Sequence, residues 1–166
     1  MARCINSYSL FFSGLGYWDM IPLLLRMHHS LYDAEWEFVI HHDRTDFSFY
    51  YGKALETMNE AGLVRLVKVN EPAVLCKSMM WRMLPVWDSK AEYVFCRDAD
   101  SLLTSRQRAC VQEFIDSGKG IHGINDNNEH NIPLMGGMIG IKSSLFVQKT
   151  GFNSIHDMYR LANISD

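Results

Sequence analysis

Several signatures are missing from this chain, and each absence removes a class of function. The four cysteines, Cys4, Cys76, Cys96 and Cys110, lie far apart and form no CxxC pair. That argues against a zinc site. Most of them read as reduced core thiols, because free cysteine behaves as a small hydrophobe. No apolar run approaches a membrane span, and the mixed first residues lack the pattern of a cleaved signal peptide. The expectation is a cytoplasmic protein with no transmembrane segment. Only 21% of residues are charged, the formal net charge is -3, and no basic stripe occurs. No nucleic-acid partner is therefore expected. Internal repeats, low-complexity tracts and linkers are absent as well.

What is present is a chain of 166 residues, 48% of them hydrophobic, enough for one domain with a real core. "RCINSYSLFF" reads as a strand running into the turn-rich stretch Ser13-Gly14-Leu15-Gly16. Tyr17, Ile21, Leu24, His28 and Leu31 then recur at helical spacing, with Asp19 as candidate cap and Pro22 in the first turn. "WEFVIHHD" is a strand that turns polar at Asp43. "SFYYGKALETMNEAG" carries Leu55, Met58 and Ala61 on one helical face and stops at Gly62. "LVRLVKV" alternates as a strand, and "SMMWRMLP" is a short helix ended by Pro85. "AEYVFC" is a further strand. Thr104 to Gln107 fits a capping box for a helix buried through Val111, Phe114 and Ile115 and ended by Gly118. "GIHGI" and "LMGGMIGIK" read as the last strands, the second with glycines that permit close approach. This alternation predicts an α/β sandwich with a mostly parallel sheet. Ligands in such sheets bind at the carboxyl ends of strands, where Asp43 and the segment Arg97 to Asp100 both fall.

That segment, "CRDADS", carries the chemistry. In extended backbone, residues i and i+2 point to one side, about 7 Å apart, so Asp98 and Asp100 are expected to share a pocket. Two close carboxylates repel unless a cation or proton lies between them. Mg2+ or Mn2+ suits oxygen ligands, and Mg2+ completes its shell with water and substrate phosphates. Arg97 would face away from both aspartates. The bland alternative is ordinary turn and cap chemistry after a strand; a lone DxD occurs by chance in many proteins.

The wider context resembles the GT-A-fold, DxD-bearing nucleotide-sugar glycosyltransferases. In these a helix with a basic residue and a Leu-Pro end precedes a strand terminating in DxD. The resemblance rests on Trp81, Arg82, Leu84 and Pro85, then Arg97, Asp98, Asp100 and Ser101. It continues through Ser117-Gly118-Lys119, His122, Asp126, His130, Pro133 and Gly136-Gly137-Met138. It is most similar to a little-characterised group with the order W-R-x-L-P, R-D-x-D-S and G-G-M, and it spans roughly residues 3 to 142. Two features depart from that pattern. The loop after the first strand lacks the expected tyrosine and glycine arrangement, which touches donor-base contacts. The chain also ends at Asp166, before the helices and acidic segment that follow G-G-M in the group. The expectation is one GT-A-like domain over residues 1–166, either minimal, shortened at its C-terminus or reliant on a partner.

The resemblance implies roles. Asp98 and Asp100 match the DxD that binds Mn2+ or Mg2+ and contacts the nucleotide-sugar. Asp100 is the first choice for direct ligation, and Asp98 is a ligand or a contact to ribose or donor sugar. Arg82 matches the helix residue facing the donor sugar or its phosphates, a task suited to a planar fork of donors. Arg97 binds the donor or braces the site; the two readings stand level. Asp43 sits where the superfamily reads the base, or simply on a surface loop. Gly136 and Gly137 would let the sugar approach the backbone. In the polar loop before them, Asp126 or Glu129 could act as general base on the acceptor if the reaction inverts. His130 could bind substrate or metal, and the bland alternative for this whole stretch is an ordinary solvated loop. His122 is a donor contact or a core histidine, and His156 is another candidate for the third metal ligand.

The reading is thus a Rossmann-type three-layer sandwich. Its expected activity is to move a sugar from a nucleoside-diphosphate donor to a carbohydrate, glycan or protein acceptor hydroxyl with Mn2+ or Mg2+. One rival is a nucleotidyltransferase acting on sugar phosphates, disfavoured because "SGLGYWD" has the glycines of a phosphate loop but no Lys or Arg. The other is a non-catalytic nucleotide-sugar-binding domain.

Overall fold

A computed structural model describes residues 3–11, 16–125 and 134–164. Six strands form one sheet in the order β3-β2-β1-β4-β6-β5. They are β1 (Arg3–Leu10), β2 (Trp36–His42), β3 (Arg65–Lys68), β4 (Ala91–Arg97), β5 (Ile121–Gly123) and β6 (Ile139–Lys142). β1 to β4 run parallel, while β6 is antiparallel to both its neighbours. In β2 and β4 every residue but the second is buried. A central parallel strand is covered on both faces, so it reads as a continuous apolar run rather than an alternating one; hence the uninterrupted Tyr93 to Cys96.

Helices cover both faces. On one, Tyr8, Phe38 and Phe95 meet Leu24 and Leu25 of α1 (Ile21–Leu31), Leu55 of α2 (Gly52–Glu60) and Val111 and Phe114 of α4 (Ser105–Ser117). On the other, Ile5, Val39, Val94 and Ile141 meet Val86 and the partly buried Phe146 and Val147 of α5 (Ser143–Thr150). α3 (Leu75–Met80) and α6 (Ile155–Leu161) complete the helices. The three-layer α/β expectation holds.

Local punctuation agrees in part. Thr104 and Gln107 form the capping box of α4, each side chain bonding the other's backbone N–H at 3.2 Å. Gly62 and Gly118 adopt positive φ just beyond α2 and α4, the conformation glycine reaches at least steric cost. Three readings change. Pro85 does not end the helix: α3 gives way at Trp81 to a 3-10 segment that runs through Pro85 to Trp87. Asp19 is not a cap; it accepts the Tyr51 hydroxyl at 3.2 Å, and α1 follows a short 3-10 turn (Trp18–Met20) with Pro22 in its first turn. Gly136 and Gly137 lie in a turn before β6, not within it. All four cysteines are free. Burial pushes the Cys4 and Cys96 thiols up to about 12, which makes them inert fillers. Among the described residues no helix is long and apolar enough to cross a membrane.

Candidate functional site

A cavity of about 510 Å³ opens where β1 and β4 end, lined by Ser9, Phe11, Tyr17, Leu75, Met79, Arg82, Arg97, Asp98 and Asp100 among others. A second, of about 520 Å³, lies at the opposite, amino end of the strands, between Asp33, Glu37 and Arg65. There the charges satisfy one another: Arg65 pairs with Glu37 at 3.2 Å and with Asp88 at 3.4 Å. The carboxyl-end cavity is the candidate site, because parallel sheets present ligand groups there and because Asp100 is exposed without a hydrogen bond or ion pair among the described residues.

Asp98 and Asp100 reach this cavity by a route that extended backbone does not provide. β4 stops at Arg97, and residues 98–101 turn, with the Ser101 N–H donating to the Asp98 carbonyl at 3.3 Å. The two carboxylates therefore line one cavity through a turn, not through the period of a strand. Asp98 is held from two sides. One oxygen accepts from Arg82 Nη1. The other lies against Gly137, where a Cβ would overlap the carboxylate. The room that glycine leaves at position 137 is thus taken by Asp98.

Arg82 sits just after the junction of α3 and the 3-10 segment, its side chain 7% exposed. Nε donates to the Met79 carbonyl at 2.7 Å, and Nη1 also donates to the Arg97 carbonyl at 3.1 Å. Nη2 makes no hydrogen bond among the described residues and lies 3.9 Å from where a Cβ on Gly136 would stand. A buried arginine is tolerable because its charge is paired and two of its nitrogens are satisfied.

Arg97 points to the other face of β4, where it is buried. Nε donates to Asn6 Oδ1 at 3.1 Å and Nη2 to the Tyr32 hydroxyl at 3.4 Å. Arginine is a donor only, so Asn6 must turn its oxygen to Arg97 and its NH₂ to His28 Nδ1, 3.2 Å away. His28 stays neutral: burial first, then the neighbouring His29, lowers its pKa to about 4. The Trp36 backbone near the His28 ring favours its charged form and partly offsets the burial. Arg97 thus braces the strand end through its side chain and meets the site through its carbonyl. Asn6, Ser9 and Tyr32 have no signal of their own as site residues in the sequence, and His28 reads there only as part of a helical face. The available signal was collective: polar residues, Asn6, Ser7 and Ser9, inside an otherwise apolar strand.

The remaining candidates scatter. Asp43 follows β2 and does not line the cavity. His122 lies on β5, its ring 5.1 Å from that of Phe114 of α4, with its pKa lowered by burial and then by Arg97; it does not line the cavity. His156 is exposed on α6 beside Tyr159 and does not line the cavity. Asp126, Glu129 and His130 lie outside the described residues.

The donor set fits a cation completed by its substrate. Among the described residues no three His, Cys, Asp or Glu side chains converge as a metal would require. Two carboxylates on one cavity suit Mg2+ or Mn2+, whose remaining positions water and phosphate oxygens can fill.

No protein-family model matches the chain, and no curated protein matches it by sequence. Solved structures do match. The mannosyltransferase PcManGT from Pyrobaculum calidifontis, in complex with GDP-Man and Mn2+, superposes with a TM-score of 0.63 at 14% identity, covering 90% of this chain and 47% of that one. Residues 1–349 of TarS from S. aureus give 0.55 at 12% identity, over 90% and 49% of the two chains. The chain therefore has a GT-A-like α/β fold, shared with these two structures. It spans about half the length of each of these structures.

Proposed function

We propose that this chain is a metal-dependent glycosyltransferase domain, moving a sugar from a nucleoside diphosphate to an acceptor hydroxyl. The observation that carries the proposal is the meeting of Arg82, Asp98 and Asp100 at one cavity, at the carboxyl ends of parallel strands, in a GT-A-like fold. Asp100, exposed and unpaired among the described residues, would hold Mn2+ or Mg2+, with Asp98 as its second carboxylate or as a contact to the donor. A divalent ion bound there supplies positive charge for the departing diphosphate. Arg82 offers Nη2 to a donor oxygen while its other nitrogens keep it from swinging away. Such preorganised donors stabilise charge without reorganising during the reaction. An inverting reaction would need a base on the acceptor, for which Asp126 and Glu129 are the candidates. The proposed acceptor is a carbohydrate, glycan or protein hydroxyl, and the proposed location is the cytoplasm.

The test is thermal melting with UDP, GDP, CDP and dTDP, each with and without Mn2+, in wild type and Asp100→Ala. A ligand at a hundred times its Kd stabilises by about 2.7 kcal/mol, which raises the melting temperature of a chain this size by roughly 5–10 °C. At least one diphosphate should do so only with Mn2+, and the mutation should abolish the shift. No shift with any nucleotide sinks the proposal. A far larger shift with a triphosphate would point to a nucleotidyltransferase instead.

A further inference from the structure

We infer that Ser9 is a positioning residue for Arg82: its hydroxyl clamps the joint between α3 and the 3-10 segment and so aims the guanidinium into the cavity. The inference rests on the proposed role of Arg82 in binding the donor. Ser9 is the penultimate residue of β1, on the sheet face that carries Ile5 and Ser7. Its Oγ accepts the Arg82 backbone N–H at 2.7 Å and donates to the Met79 carbonyl at 3.4 Å. That same carbonyl accepts Arg82 Nε at 2.7 Å. One hydroxyl therefore touches both sides of the joint, fixing the backbone of Arg82 and the acceptor of its side chain together.

The joint needs such a clamp. A change from α to 3-10 pitch disturbs the ladder of backbone bonds, and a buried N–H without a partner is costly. β1 is central in the sheet, between β2 and β4, so its end is a rigid point to clamp against. With Nε on Met79 and Nη1 on Arg97 and Asp98, only Nη2 is left for a ligand, over Gly136. A small rotation at the joint would carry Nη2 off the cavity axis, which is why position 9 governs donor affinity although its hydroxyl is turned to the protein.

The experiment compares wild type, Ser9→Ala, Ser9→Thr, Arg82→Lys and the Ser9→Ala/Arg82→Lys double variant. Affinities for GDP, UDP, CDP and dTDP with Mn2+ are measured by calorimetry. The Arg82 Nε–H is followed by proton–nitrogen NMR without nucleotide. Ser9→Ala should weaken the bound diphosphate about 5- to 10-fold, the worth of one hydrogen bond, and Ser9→Thr should restore it. In the Arg82→Lys background Ser9→Ala should change affinity less than about 2-fold, because coupled residues are not additive. The Arg82 Nε–H should exchange about 10-fold faster in Ser9→Ala. Unchanged affinity in Ser9→Ala, or an undiminished loss in the Arg82→Lys background, overturns the inference while leaving the transferase reading intact. Should wild type bind no diphosphate, the transferase reading fails; an unchanged Nε–H exchange in Ser9→Ala then overturns the positioning role on its own.

Discussion

Arg82 and Asp98 form an ion pair of unequal burial: the guanidinium side chain is 7% exposed and the carboxylate side chain 42%. The asymmetry decides which partner depends on the other. An arginine stranded in the interior loses more than a carboxylate left at a cavity mouth. Asp98 is therefore a structural counter-ion as well as a candidate ligand, whereas Asp100 has no such duty among the described residues.

Asp98→Ala should lower the unfolding free energy by about 1–3 kcal/mol. Asp100→Ala should stay within about 0.5 kcal/mol of wild type, as exposed substitutions without partners do. Urea unfolding in the absence of metal and nucleotide separates the two. Equal effects would contradict the assigned pairing.

Gly137→Ala tests how tightly Asp98 is seated. The new Cβ would overlap the carboxylate, so Asp98 must rotate away and release Arg82. The expected cost is about 1–3 kcal/mol. Asp98→Ala removes the atoms that clash, so the double variant should be less destabilised than the sum of the singles. Additive losses would place the strain elsewhere.

Stability should fall in mild acid. Burial lowers His28 and His42 to about 4 and His41 to about 3, below the usual histidine value near 6.5. Between about 4 and 6.5 the unfolded chain binds protons that the folded chain does not. Stability is therefore complete above about pH 6.5 and drains as the pH falls toward 4, with the His41 share lost down to about 3. His28→Gln should flatten the slope by up to ~1.4 kcal/mol per pH unit. Chemical denaturation across this range, in wild type and variant, checks the sign and the share of His28.

Thr104→Ala should cost about 1 kcal/mol through loss of the α4 cap. Gln107→Ala should cost a similar amount, since the two side chains satisfy each other's backbone. Combining them should add little, because either loss opens the box. Thermal melts of the three variants settle the coupling.

Much of the fold was legible because it depends on neighbours in sequence. The capping box at Thr104, the stop at Gly118 and the apolar run Tyr93 to Cys96 each follow from a few adjacent residues and a known period. Pro85 misled for the same reason. Proline forbids an interior α-helical hydrogen bond, but the chain had already changed pitch at Trp81, and nothing local announces that. Asp98 and Asp100 were expected to share a pocket by strand period, and they share it through a turn closed by Ser101.

The sequence by itself determined that strands and helices alternate, and that β4 ends in a burst of charge: hydrophobic periodicity and capping are written within a few residues. Tertiary structure alone decided what that charge does. It set Arg82 against Asp98, 16 positions apart, packed Gly137 onto the same carboxylate, and hung Arg97 from Asn6, 91 positions away. Those pairings arise because the sheet gathers at the end of β4 its neighbour β1, the 3-10 segment before β4 and the turn before β6, and a hydrogen bond depends on distance in space, not along the chain.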